Sequence, residues 1–286
     1  MIDRKVLKPC RGCGKQKRIR RDREYCTAVC ARRNRPTHDV TVVMGDAHEP
    51  HIDKWAFSVA LQLTEAIKPS RVILNGDWTD CYQISKFAQP GSPGPGFPAE
   101  IEMSVASLGN VRKASGKATI DLIEGNHEFR LKAFLNHEGS NLKGLKGLTM
   151  KEQLALTSMD INYIECRGSK WFSTYVKAHD DLLVGHFDKT SCHSAYAGKG
   201  LIEIHGTNII TGHNHSAGVH HRTMEHGMVA AYEGGCLCTL DPPYMAPKNW
   251  AHAITVAIKD GVHPVYIRQI IINNGRAWYD GRLYKA

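Results

Sequence analysis

Five short polar clusters along the chain carry side chains suited to holding cations: Asp46-Ala47-His48, Gly76-Asp77-Trp78-Thr79-Asp80, Gly125-Asn126-His127-Glu128, Gly185-His186 and Gly212-His213-Asn214-His215. Glycine stands directly before the first polar residue in four of them, and Gly45 does the same for the first. A glycine lets the chain turn sharply and lets backbones approach closely, so each polar side chain is presented on a short, rigid mount. Asp, Asn and neutral His form a mixed oxygen and nitrogen donor set. That set suits Mn, Fe or Zn better than Mg or Ca, which prefer oxygen alone. A single Asp-x-His is common surface chemistry and a single Gly-Asp is commonplace. The weight lies in all five clusters occurring in one order, each after a β-like run.

Those runs define the elements that must position the clusters. Val40–Met44 is a short apolar run ending at Gly45-Asp46, Arg71–Asn75 ends at Gly76-Asp77, and Ala118–Ile123 leads into Gly125-Asn126-His127. Apolar residues at helical spacing predict helices over about Asp53–Ile67 and Ala99–Lys113. Strand, helix, strand, helix, strand is the pattern of an α/β fold with parallel strands, in which ligands bind beyond the carboxyl ends of the strands. The C-terminal half reads as β-rich, with strands expected at Trp171–Ala178, Leu182–Val184, Asn208–Ile210, Val229–Tyr232, Ile254–Ile258 and Val265–Ile272. A second sheet packed on the first is expected. In Gln89–Pro98, Pro and Gly alternate, so this segment is irregular; it either overhangs the site or is a plain surface loop.

The ordered set Asp-x-His, Gly-Asp-x-x-Asp, Gly-Asn-His-Glu, a lone His and Gly-His-x-His resembles the calcineurin-like metallophosphoesterase superfamily over about residues 39–235. The resemblance implies a four-layer α-β-β-α sandwich of two packed mixed sheets flanked by helices. It implies a first metal on Asp46, His48 and His215, a second on Asn126, His186 and His213, and Asp77 bridging both. Three histidines compete for the lone position: His179, His186 and His193. His186, which follows a strand and a Gly, is preferred. Two metals about 3.5–4 Å apart can clamp the attacking and leaving oxygens of a phosphoryl displacement and acidify a bridging water. By the same resemblance His127 is the general acid for the leaving oxygen, with Asp80 orienting its ring. Arg130 either contacts phosphate or pairs with Glu128 or another acid.

The first segment is a separate matter. Cys10-x-x-Cys13 and Cys26-x-x-x-Cys30 have the spacing of a tetrahedral structural Zn site, and resemble zinc-ribbon or treble-clef modules. The other reading is unrelated free thiols. So short a segment needs metal to fold. Residues 1–36 are thus expected to form a basic zinc-binding module held by four cysteines, with Asn34–Thr37 as linker, and residues 37–286 the catalytic domain. The chain carries a net charge of +9, and residues 1–38 hold 13 Lys/Arg against 3 Asp/Glu. The body is therefore close to neutral. A basic arm on a neutral body points to a polyanion, nucleic acid first, through Lys15, Lys17, Arg18, Arg20, Arg21, Arg32 and Arg33; the bland reading is a solubilising tail. No apolar run is long enough to span a bilayer and no signal peptide is visible, so the expected location is the cytoplasm of a bacterium or a phage-infected host.

Substrate is left open among three readings. The first is a nuclease or nucleic-acid phosphodiesterase, supported by the basic module. The second is a phosphomonoesterase, mildly supported by Gly-Asn-His-Glu-x-Arg. The third is a non-catalytic nucleic-acid-binding protein with a vestigial cage, which the complete ligand set argues against. The remaining histidines, and Cys81, Cys166, Cys192, Cys236 and Cys238, are read as surface or packing residues.

Overall fold

In a computed structural model of the chain, the residues described are 5–10, 15–20, 27, 38–86, 95–225, 227–241 and 249–286. They divide into two compact units, one of 1–38 with 260–263 and one of 39–259 with 264–286. The first contains a hairpin, β1 (Lys5–Pro9) paired antiparallel with β2 (Gln16–Arg20). Cys10 follows β1 and is buried. Cys13, Cys26 and Cys30 lie outside the described residues, as do Arg21, Arg32, Arg33, the linker 34–37 and the Pro/Gly segment over 89–94.

The second unit is built on two mixed sheets. In the first, β3 (His38–Met44), β4 (Arg71–Leu74), β5 (Thr119–Ile123) and β6 (Ile161–Ile164) run parallel. In the second, β7 (Tyr175–His179) pairs antiparallel with β8 (Leu182–Gly185), which is parallel to β9 (Asn208–Thr211). Strands β10 (Ala217–Met224) and β11 (Gly227–Gly234) complete that sheet as an antiparallel pair, with β11 parallel to β9. The chain then returns to the first sheet as the antiparallel pair β12 (His252–Asp260) and β13 (Tyr266–Ile272), giving the order β13-β12-β3-β4-β5-β6. A hairpin of β14 (Arg276–Tyr279) and β15 (Arg282–Lys285) ends the chain.

Alternation along the strands sorts their side chains into three apolar layers. Val42, Met44, Val72, Leu74, Ile120 and Leu122 face helices α1 (Lys54–Ile67) and α2 (Phe97–Ser115). Val43, Ile73 and Ile123 point the other way, onto Leu182, Val184 and Ile210 of the second sheet. Leu183 and Ile209 then meet Leu201 and Ile202 of a helix over Tyr196–His205. With α3 (Phe129–Asn136) and a one-turn α4 (Met150–Gln153), this last helix is α5. Helix, sheet, sheet, helix is the expected four-layer sandwich. Strands covered on both faces read as continuous apolar runs, which is why β3, β4 and β5 stand out in the sequence. Helix α1 begins where the Asp53 carboxylate accepts the N–H groups of Trp55 and Ala56 at 3.0 and 2.8 Å, a standard N-cap.

One expectation changes. Trp171–Ser173, read as the start of a strand, is a single 3₁₀ turn, and β7 begins only at Tyr175. A run of Trp, Phe and Thr has high strand propensity, but here tertiary contacts decide it. Helix α5 and strands β6 and β10 were not anticipated.

Candidate metal centre

The polar clusters sit at the carboxyl ends of five parallel strands. Asp46 and His48 follow β3, Asp77 and Asp80 follow β4, Asn126 and His127 follow β5, His186 follows β8, and His213 and His215 follow β9. The loops are tied to one another by backbone bonds. The N–H groups of Asp46, His48 and Glu49 donate to the carbonyls of Gly76, Asp77 and Trp78 at 2.9–3.0 Å. The His213 N–H donates to the Asp46 carboxylate at 3.0 Å. Asp46, His48, Asp77, His213 and His215 all adopt positive φ, between 48° and 70°. Left-handed conformations cost non-glycine residues roughly 1–3 kcal/mol each, and their concentration here marks the loops as held by their surroundings. Gly125 shows why glycine precedes the polar residue. A Cβ there would collide with Asp77 Oδ1 and lie 2.6 Å from its backbone nitrogen.

Two cages result. Asp46, His48 and His215 place one ligand atom each within 4.8 Å of one another, and so do Asp77, His186 and His213. In the first, His215 Nε2 is 3.2 Å from Asp46 Oδ1 and 3.1 Å from His48 Nε2. In the second, His186 Nε2 is 3.1 Å from both Asp77 Oδ2 and Asn126 Oδ1. Asp77 Oδ2 is also 3.7 Å from His48 Nε2, so this one oxygen faces both cages. His179 instead sits within hydrogen-bond reach of Thr41, and His193 is exposed; neither joins the cluster.

The proton inventory leaves the cage donors facing one another across shared protons. His186 Nδ1 is 2.8 Å from the Asn75 carbonyl, which only accepts, so Nδ1 carries hydrogen. Its Nε2 then faces two oxygens that also only accept. His48 is fixed the same way, with Nδ1 3.1 Å from the Asp80 carboxylate. Lone pairs converge on one another, and a proton or a metal must lie between them. Burial disfavours the charged form of His186, yet the Asp77 carboxylate pushes its pKa up to about 9. Burial likewise opposes charge on His215, and Asp46 pushes it up to about 10. Asp77 itself, which burial would raise, is held well below the usual carboxylate range by His127 and His186. His213, lowered to about 4 by burial and by His186, is neutral and offers a lone pair. A metal ion held by these donors would take the place of the shared protons. The donor set of oxygen and imidazole therefore fits divalent transition cations.

Beside the cages, His127 Nδ1 lies 2.7 Å from the Asp80 carbonyl and 3.0 Å from its carboxylate. Asp80 thus serves both His48 and His127, and these two imidazoles hold its carboxyl far below the ordinary range against the opposing effect of burial. Arg130 donates to the Asp80 carbonyl at 2.6 Å and reaches His127 Nε2 at 3.1 Å. It does not pair with Glu128, whose carboxylate is committed elsewhere. Fully buried Glu128 accepts the N–H groups of Asp77 and Gly125 at 2.9 Å each, Trp78 at 2.6 Å and Thr79 at 3.2 Å. It is the clamp that locks the β4 loop to the β5 loop. Its place in Gly-Asn-His-Glu was the only sequence signal for this role. Two more neighbours had no such signal. The Trp171 ring lies 5.1 Å from that of His213 and 5.7 Å from that of His186. Cys238 Sγ lies 3.8 Å from His215 Nδ1, leaving Nε2 turned to the cage. His220 and His221 lie on β10. Of the basic residues expected to meet nucleic acid, Lys15, Lys17 and Arg18 are exposed on and beside β2.

No protein-family model matches the sequence, and no curated protein matches it. Among solved structures the chain is similar to a Vps29 single mutant from Entamoeba histolytica, at 12% identity and a TM-score of 0.40, covering 86% of this chain and 98% of that one. It is similar to TT1561 of Thermus thermophilus at 9% identity and a TM-score of 0.39, covering 81% and 99%. Vps29 from Cryptosporidium parvum gives 13% identity, a TM-score of 0.39, and coverage of 87% and 96%.

Replacing Glu128 with Gln keeps the shape but turns an NH₂ toward N–H groups. The expected cost is about 1–3 kcal/mol of stability, read from the urea midpoint. Mn²⁺ affinity, read by calorimetry, falls about tenfold. Unchanged affinity with a lowered midpoint would show that the clamp supports the fold but not the cage.

Proposed function

We propose that the chain is a dinuclear-metal phosphoester hydrolase acting on phosphodiesters, with nucleic acid as the substrate class. The observation that carries this reading is the single buried oxygen, Asp77 Oδ2, set between two clusters of carboxylate, amide and imidazole donors. Asp46, His48 and His215 would hold one cation, and Asn126, His186 and His213 the other, with Asp77 common to both. Two divalent ions, Mn²⁺ first and Fe or Zn next, would acidify a water and offset charge on the phosphoryl oxygens. The resemblance of the ordered clusters to calcineurin-like metallophosphoesterases supports the same chemistry.

His127 is the candidate proton donor to the leaving oxygen. Its Nδ1–H is held by Asp80, which fixes the ring and favours its charged form. Burial disfavours that form, and the pKa of His127 is lowered on balance. In the resting arrangement Nε2 accepts from Arg130. Proton donation requires Arg130 to release Nε2 and Nε2 then to take up a proton from water, and a bound phosphate is the natural competitor for the guanidinium. Support for nucleic acid comes from the excess charge of residues 1–38 and the exposed Lys15, Lys17 and Arg18. A strand of basic side chains contacts a phosphate backbone without reading sequence. The four-cysteine zinc module belongs to the same proposal, with Cys10 the one of its cysteines among the described residues.

Metal-stripped protein is expected to be inert toward bis-p-nitrophenyl phosphate and to regain turnover with Mn²⁺. Asp77→Asn is expected to lose about a thousandfold or more in kcat. Turnover of p-nitrophenyl phosphate alone would favour a monoesterase, and no turnover of either would leave a binding protein. His127→Asn is expected to slow esters of poor leaving groups by about 10²–10⁴ and p-nitrophenyl esters far less, since p-nitrophenolate departs unprotonated. Equal slowing of both would remove His127 from the acid role. Changing Lys15, Lys17 and Arg18 together to Glu is expected to weaken single-stranded DNA binding and flatten its dependence on log salt by about two units or more, measured by anisotropy, with p-nitrophenyl diester turnover retained.

A further inference from the structure

A cavity of 560 Å³ adjoins the second cage. Its size lies within the roughly 300–1,000 Å³ of small-molecule sites. Asn126 forms part of its wall, and so does Trp171, whose ring covers His186 and His213. Asn126 is thus the one residue of that cage on the cavity wall, and His186 and His213 adjoin it through the Trp171 indole. Arg130 lines it as well, and the same guanidinium touches His127 Nε2. Through Arg130 the cavity adjoins His127. Phe129 and Phe134 of α3 add two more rings to the wall, and Lys86 adds a cation. All three rings are partly exposed.

Flat apolar faces combined with cations are the means by which proteins hold unpaired nucleobases. Rings stack with any base, and the cations follow the phosphates. A simple alkyl ester would leave these rings uncovered. A phosphoserine side chain would bring no ring to them. We propose that this cavity is a base-stacking subsite, in which Trp171 stacks on the nucleobase of the leaving nucleoside while its phosphate lies at the cages. The inference rests on the phosphodiesterase reading above and adds to it a preference for single-stranded or frayed substrate, since a base paired in a duplex cannot present its face.

The test compares dithymidine phosphate with the two analogues in which one or the other base is replaced by an abasic sugar. The leaving alcohols then have the same chemistry and differ only in the ring. Wild-type protein with Mn²⁺ is expected to cleave one of the two analogues about tenfold or more slowly than the parent. That ratio is expected to fall to near one in Trp171→Ala and to return in Trp171→Phe. Because the reading is a ratio, a general loss from disturbing His186 and His213 cancels. Thymidine monophosphate is expected to quench tryptophan fluorescence in wild-type protein and to quench Trp171→Phe much less. If both abasic analogues are cleaved as fast as the parent, or the ratio survives in Trp171→Ala, the subsite is overturned while the hydrolase stands. Cleavage of bis-p-nitrophenyl phosphate with none of the dinucleotides also overturns the subsite. Failure of every diester overturns the hydrolase itself.

Discussion

Two carboxylates, Asp46 and Asp77, are almost fully withdrawn from water and aimed at imidazole nitrogens, Asp46 at His215 and Asp77 at His186 and His48. An ionised carboxylate in such a place is costly unless positive charge accompanies it. Everything else in the centre follows from supplying that charge at fixed points. Protons satisfy the demand in the apo state, which is why His186 and His215 are so basic. A divalent ion held there would supply the same charge while accepting several lone pairs at once.

Holding lone pairs against one another requires stiff mounts, and the fold provides them in two stages. Parallel strands β3, β4 and β5 deliver their loops to one edge in register, and β8 and β9 of the second sheet deliver theirs beside them. The loops then fasten to each other by backbone bonds, by the Glu128 carboxylate and by the Asp46 bond to the His213 amide. The ligands are therefore positioned by neighbours from other loops rather than by their own local preference. Five of them tolerate left-handed backbone for that reason. Strain of this kind persists only where the surroundings over-determine the chain.

The same logic explains what the sequence disclosed. β3, β4 and β5 are buried on both faces, so they are continuous apolar runs, and a glycine follows where the next loop packs too closely for a Cβ. Gly125 against Asp77 is such a contact, and it left a visible mark. The second sheet was legible from the β-rich C-terminal half, and the four-layer order only through the resemblance of the ordered clusters to calcineurin-like metallophosphoesterases. Trp171 left no mark. It lies in a one-turn 3₁₀ segment, and what places it over His213 is packing between residues far apart in the chain. Cys238 was equally silent, because a thiol in a β-like stretch reads as packing until His215 is found beside it. Glu128 lay in between: its position was recorded, but its four amide partners belong to two loops that only the fold brings together.

Arg130 joins the chemistry to recognition, and its geometry limits how the two are coupled. Its guanidinium spans the Asp80 carbonyl and His127 Nε2 while its side chain lines the aromatic cavity. Asp80 in turn holds both His48, a cage residue, and His127. A phosphate entering between cavity and cages meets an arginine already bonded to the proposed proton donor. Drawing that arginine onto the phosphate frees His127 Nε2 in the same movement. A bound phosphate would thereby leave Nε2 open to take up the proton that an acid role needs, and a ligand too small to reach Arg130 would leave Nε2 occupied.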